Sequence, residues 1–86
     1  MKYMKKNYNF NIISKNLYKY RKEKGMSQEE LSREMTLRGI NMYRNDIYKI
    51  EYNKRYVRDY ELLELMNILN VTFEELTADV NKDSKD

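Results

Sequence analysis

The sequence predicts an all-α domain, a compact set of five short helices. Three observations predict it. The 86-residue chain has no Pro and only two Gly, Gly25 and Gly39, so it lacks the turn punctuation that a barrel or sandwich of short strands requires. Its apolar residues recur at i, i+3, i+4 and i+7, the spacing of one helix face. Two stretches, Ser27-Gln28-Glu29-Glu30 and Thr72-Phe73-Glu74-Glu75, have the form of a capping box, which opens a helix. The length gives room for one domain with little stability to spare.

Residues 1–10 carry Lys2, Lys5 and Lys6 and no sustained period, and read as a basic arm. The first helix is expected from Ile12 to Lys24, with Ile13, Leu17 and Tyr20 on one stripe and Asn11 as N-cap. Lys22 and Lys24 suit its negative end, and Gly25 suits the left-handed residue that stops it. The Ser27 box opens a second helix, with Leu31 and Met35 inward, ending near Leu37. Arg38 to Asn41 is a turn.

A third helix is expected over residues 43–52. Met42, Ile47 and Ile50 form its buried edge, so Arg44, Asn45, Tyr48 and Lys49 fall on the other faces. Asn53 can take a left-handed cap, and Lys54 to Arg58 form a basic loop. Asp59 reads as the N-cap of a fourth helix reaching Leu69, with Leu62, Leu65, Met66 and Leu69 inward and Asn70 at its end. The Thr72 box opens a short fifth helix that turns Phe73 and Leu76 inward. The division is thus an arm over 1–10, a domain over 11–77 and a polar tail over 78–86.

Composition excludes several classes of function. There is no Cys and no His, so disulfides, the usual zinc and iron ligands, and Cys–His or Ser–His nucleophiles are all out of reach. No metal, cofactor or enzymatic activity is expected. No apolar run approaches a membrane span, and the basic start is not followed by an apolar stretch, so a cytoplasmic protein is expected. The formal net charge is +3. Its distribution says more: residues 1–26 carry +7, 52–58 carry +3 and 59–86 carry −6. A basic front with an acidic back suits a polyanion binder with one working face.

Taken in order, these features resemble the phage-repressor-type, or xenobiotic-response-element, family of helix-turn-helix DNA-binding domains. The resemblance covers about Ile13 to Leu76. It rests on Ile13, Leu17 and Tyr20 followed by Arg21-Lys22-Glu23-Lys24-Gly25, on Met26-Ser27-Gln28-Glu29-Glu30-Leu31, on Ile47-Tyr48-Lys49-Ile50-Glu51, and on Leu62, Leu65, Leu69, Asn70-Val71 and Glu74-Glu75-Leu76. It implies a five-helix lambda-repressor-like fold whose third helix enters the major groove. Three departures stand out. The stretch from Leu31 to Glu51 is several residues longer than usual, Asn53 replaces the customary Gly, and Tyr43, Asp46 and Tyr48 replace small residues.

A helix matches the width of the B-DNA major groove, and residues near its start meet base edges. Arg44 can donate twice to guanine and Asn45 can pair with adenine, with Tyr48 and Lys49 one turn later. Gln28, Tyr43, Lys54 and Arg55 are the expected backbone contacts. For Gln28 the resemblance implies either a phosphate bond or support of a recognition-helix side chain. For Arg21 and Glu51 it implies a buried structural ion pair. Asp46 reads as an acid favoured at a helix start, or as an acceptor for cytosine. Tyr3, Tyr8 and Tyr18 could stack on bases.

The expected function is sequence-specific binding of double-stranded DNA by a transcriptional regulator, a repressor by resemblance. A homodimer is expected through helices four and five, with Val71 and Val80 as exposed apolar candidates. The alternative is an antitoxin-like or adaptor module whose exposed Tyr43, Asp46 and Tyr48 meet a protein partner.

Overall fold

The structure is a computed structural model, and it describes residues 11–78. Its helices are α1 (Ser14–Glu23), α2 (Gln28–Leu37), α3 (Arg44–Glu51), α4 (Asp59–Leu69) and α5 (Phe73–Leu76). Local chemistry explains most of their starts. Ser27 Oγ accepts from the Glu30 N–H at 3.0 Å, and the Glu30 carboxylate accepts from the Ser27 N–H at 2.8 Å. Thr72 and Glu75 make the same reciprocal pair before α5. Each such cap satisfies a donor that the helix itself leaves free.

Two helices start with half of that device. The Asp46 carboxylate accepts from the Tyr43 N–H at 2.9 Å, and the Glu61 carboxylate accepts from the Arg58 N–H at 2.8 Å. The N-cap of α4 is therefore Arg58, not Asp59, because the carboxylate that reaches back lies three residues after Arg58. The expected cap of α1 also moves. Ile13 takes the N-cap position without a side-chain bond, and Asn11 bonds elsewhere.

The helix ends follow one pattern. Gly25, Gly39, Asn53 and Asn70 all have positive φ, from 57° at Asn70 to 83° at Gly39. After each, the next N–H turns back to a carbonyl five residues earlier: Met26 to Arg21, Ile40 to Met35, Lys54 to Lys49, and Val71 to Met66. Both glycines thus sit where a side chain would be strained, and two Asn residues tolerate the same conformation.

One core joins the elements. It contains Leu17 of α1, Leu31 and Met35 of α2, Met42 of the connection that follows, Ile47 and Ile50 of α3, and Leu65, Ile68 and Leu69 of α4. Leu76 is also fully buried, and Asn16 of α1 donates to the Leu76 carbonyl at 2.9 Å, fastening α5. The longer connection between α2 and α3 is held rather than loose. Met42 is fully buried, Ile40 packs on the core, and the Ser32 hydroxyl donates to the Met42 carbonyl at 2.7 Å.

Several apolar residues lie differently from expectation. Phe73 is exposed, since it occupies the first position of a one-turn helix that can turn only Leu76 inward. On α4 the buried stripe is Glu61, Leu65, Ile68 and Leu69, which leaves Leu62 and Met66 half-buried. Tyr20 is half-buried against the core. Val71 packs on the core instead of facing outward, so the exposed apolar residues of α4 and α5 are Tyr60, Leu63 and Phe73. Val80 lies outside the described residues, as do Tyr3, Tyr8 and the lysines at 2, 5 and 6. Among the described residues, no helix is long and apolar enough to cross a membrane.

Candidate nucleic-acid interface

The burial of α3 divides it into two sides. Ile47, Ile50 and Glu51 face inward, while Arg44, Asn45, Tyr48 and Lys49 are exposed. The four expected base-reading residues therefore share the outer side of one helix. Gln28, Arg44, Asn45 and Tyr48 line a single open groove, where the start of α2 meets the outside of α3. Tyr43 stands at the N-cap of α3 and is 66% exposed.

Tyr48 does not stand alone. Its ring lies 4.6 Å from that of Tyr52, one turn later, at an interplanar angle of 37°. Tilted aromatic pairs at this separation attract, so each ring limits the freedom of the other. In the sequence, the i, i+4 spacing of these two tyrosines is the signal for the pair. Tyr18, by contrast, faces cations of its own helix, with Arg21 and Lys22 within 5.4 and 5.9 Å of its ring.

Beneath α3 lies an ion pair. Arg21 donates from Nε and Nη2 to the two Glu51 oxygens at 2.6 and 3.0 Å, and both residues are buried. Arg21 Nη1 also donates to the Met26 carbonyl at 2.8 Å. Gln28 joins the group, donating from Nε2 to Glu51 Oε1 at 3.0 Å. A charge removed from water needs both a partner and filled hydrogen-bonding sites, and this cluster supplies them. It connects α1, the start of α2 and the end of α3. Gln28 thus turns its amide nitrogen toward the buried Glu51 at the base of the recognition helix.

The loop after α3 departs most from expectation. Lys54 is exposed. Arg55 is not turned outward: its guanidinium donates to both Glu61 oxygens at 3.0 and 2.8 Å and to the Tyr56 carbonyl at 2.8 Å. Its Nε also lies 3.5 Å from Asp46 Oδ1. The hydrogen bond to Glu61 is the main reason the Arg55 pKa is raised further. Arg58 reaches Glu61 at 3.3 Å but keeps its side chain 60% exposed. Asp46 is occupied on both oxygens, by the Tyr43 N–H and by Arg55.

Asn11 holds the same loop from the other side. Its N–H donates to Asn53 Oδ1 at 3.1 Å, its Nδ2 donates to the Arg55 carbonyl, and its Oδ1 accepts from the Val57 N–H at 2.8 Å. The chain between α3 and α4 is therefore tied to the residue just before α1. These partners lie more than 40 residues apart, so no local signal in the sequence pointed to them.

In comparison with known proteins, the family model described as Cro/C1-type HTH DNA-binding domain matches residues 16–82. None of the curated proteins and none of the solved structures compared with the chain matches it.

Proposed function

The chain belongs to the family of Cro/C1-type helix-turn-helix DNA-binding domains, and from that premise we propose that it is a sequence-specific regulator of transcription acting on double-stranded DNA in the cytoplasm. The observation that supports this reading is the division of α3. Its apolar side is buried in the core while Arg44, Asn45, Tyr48 and Lys49 stand together on the open side. Inserted in the major groove, Arg44 donates twice to a guanine and Asn45 pairs with an adenine. Tyr48, its ring braced by Tyr52, brings an apolar edge to a thymine methyl. Lys49 reads a base or a phosphate. Tyr43 and Lys54 contact the backbone, and Gln28 steadies the cluster at the start of α2.

A regulator of this size gains specificity by binding as a homodimer to two half-sites. The surface proposed for pairing is the outer side of α4 and α5, where Tyr60, Leu63 and Phe73 are exposed. The exposed Tyr43, Tyr48 and Tyr52 favour a second reading, an adaptor whose α3 docks a protein.

Titrating the protein against genomic fragments at several salt concentrations separates the two. A DNA regulator retains a subset of fragments and loses affinity steeply as salt rises. Equal, weak retention of every fragment removes sequence specificity. Absence of salt-dependent binding favours the adaptor.

A further inference from the structure

The loop after the recognition helix carries three cations, Lys54, Arg55 and Arg58, and they are not equivalent. Arg55 sits between carboxylates of two different helices. Glu61, in the first turn of α4, takes two of its bonds, and Asp46, in the first turn of α3, faces its Nε. The Glu61 side chain is 2% exposed and that of Arg55 is 19%. A bidentate arginine held on a buried carboxylate cannot turn to a phosphate without giving up both of those bonds. That leaves Glu61 only the N–H and the longer, largely exposed guanidinium contact of Arg58, and is costly.

We propose that Arg55 is a positioning residue for DNA binding and not a phosphate contact. This rests on the DNA-binding reading above. Arg55 fixes the start of α3 to the start of α4, and with Asn11 it holds the intervening loop in one conformation. Lys54 is then presented from a backbone already ordered, so less freedom is lost on binding. Arg55 also offsets the charge of Asp46, which would otherwise repel phosphates from the reading helix.

Two variants test this on the full chain, with folding followed by circular dichroism. In Glu61→Gln an acidic residue is lost, so simple charge counting predicts tighter binding to a polyanion. The positioning role predicts the opposite, affinity about tenfold weaker on the best duplex. In the free variant, the amide of Val57 should also exchange faster with solvent. The double variant R55Q/E61Q keeps the net charge and allows an amide–amide bond, so its salt slope should equal the wild-type slope. A slope flatter by about 0.9 would mean that Arg55 touches a phosphate, and the proposal falls. Tighter binding by Glu61→Gln overturns it as well. If Glu61→Gln does not fold, the double variant decides alone. Failure of the DNA-binding reading shows separately, in wild-type protein that binds no duplex.

Discussion

Arg21 and Glu51 are each less than a tenth exposed, and that burial sets the cost of changing either one. Glu51→Ala leaves the Arg21 guanidinium with the Met26 carbonyl and no carboxylate. An orphaned buried charge costs about 3–5 kcal/mol. A domain of this size has roughly 5–15 kcal/mol in all, so this variant should melt far below the wild type in a thermal scan. A melting point within a few degrees of wild type would mean that water reaches Arg21. The exposed residues of α3 behave differently, because their side chains stand outside the core. Arg44→Ala should leave the melt unchanged and cost about 1–3 kcal/mol on the best site, with preference relaxed at one base pair. Equal loss on random DNA would reduce Arg44 to a phosphate contact. Lys54→Ala should weaken all sequences alike and flatten the salt slope by about one. An unchanged slope would remove Lys54 from the interface.

At the scale of elements, the start and stop signals act within a few residues, and these were legible. The Ser27 and Thr72 boxes and the caps at Gly25, Asn53 and Asn70 all lie where local pattern put them, because each depends on neighbours in the chain. Asn70 allows a direct check. It is held at φ 57°, a conformation that costs an ordinary L-residue about 1–2 kcal/mol. Asn70→Ala should therefore lower stability by about 1 kcal/mol in a denaturant titration, and Asn70→Gly should not. Equal losses would locate the effect in the Asn side chain instead. What the sequence did not disclose was choice among distant partners. Asn11 could cap α1, and instead it bonds Asn53, Arg55 and Val57. Arg55 could face solvent, and instead it pairs with Glu61. Both outcomes depend on how α1, α3 and α4 pack, which no short window contains. The short α5 and its inward Leu76 were legible too, but the outward Phe73 was not, since it depends on how this single turn meets α1.

Across the whole sequence, charge is divided between a basic first part and an acidic last part, and stability should follow the acids. The chain has no His, so no side chain at its ordinary pKa titrates between about pH 5 and 8. Stability should be nearly flat there. Below that range the acids take over, with Glu61 foremost. Burial alone would raise its pKa, but the hydrogen bond from Arg55, the Arg58 N–H and the charges of both arginines outweigh burial and hold it below 4.5. A carboxyl lowered in the folded state contributes stability that is complete above its unfolded value and is lost as pH falls through its folded value. The denaturant midpoint should therefore hold from about pH 8 to 5 and fall as acid is added below about pH 4.5. In Glu61→Gln the plateau should be lower and the acid limb shallower, because one proton-linked pairing is gone. The fall should come with loss of the α3–α4 connection, since Glu61 holds both the loop and the start of α4. An acid limb as steep in the variant as in the wild type would mean that other carboxylates govern acid unfolding and that Glu61 is already exposed to solvent in the folded protein.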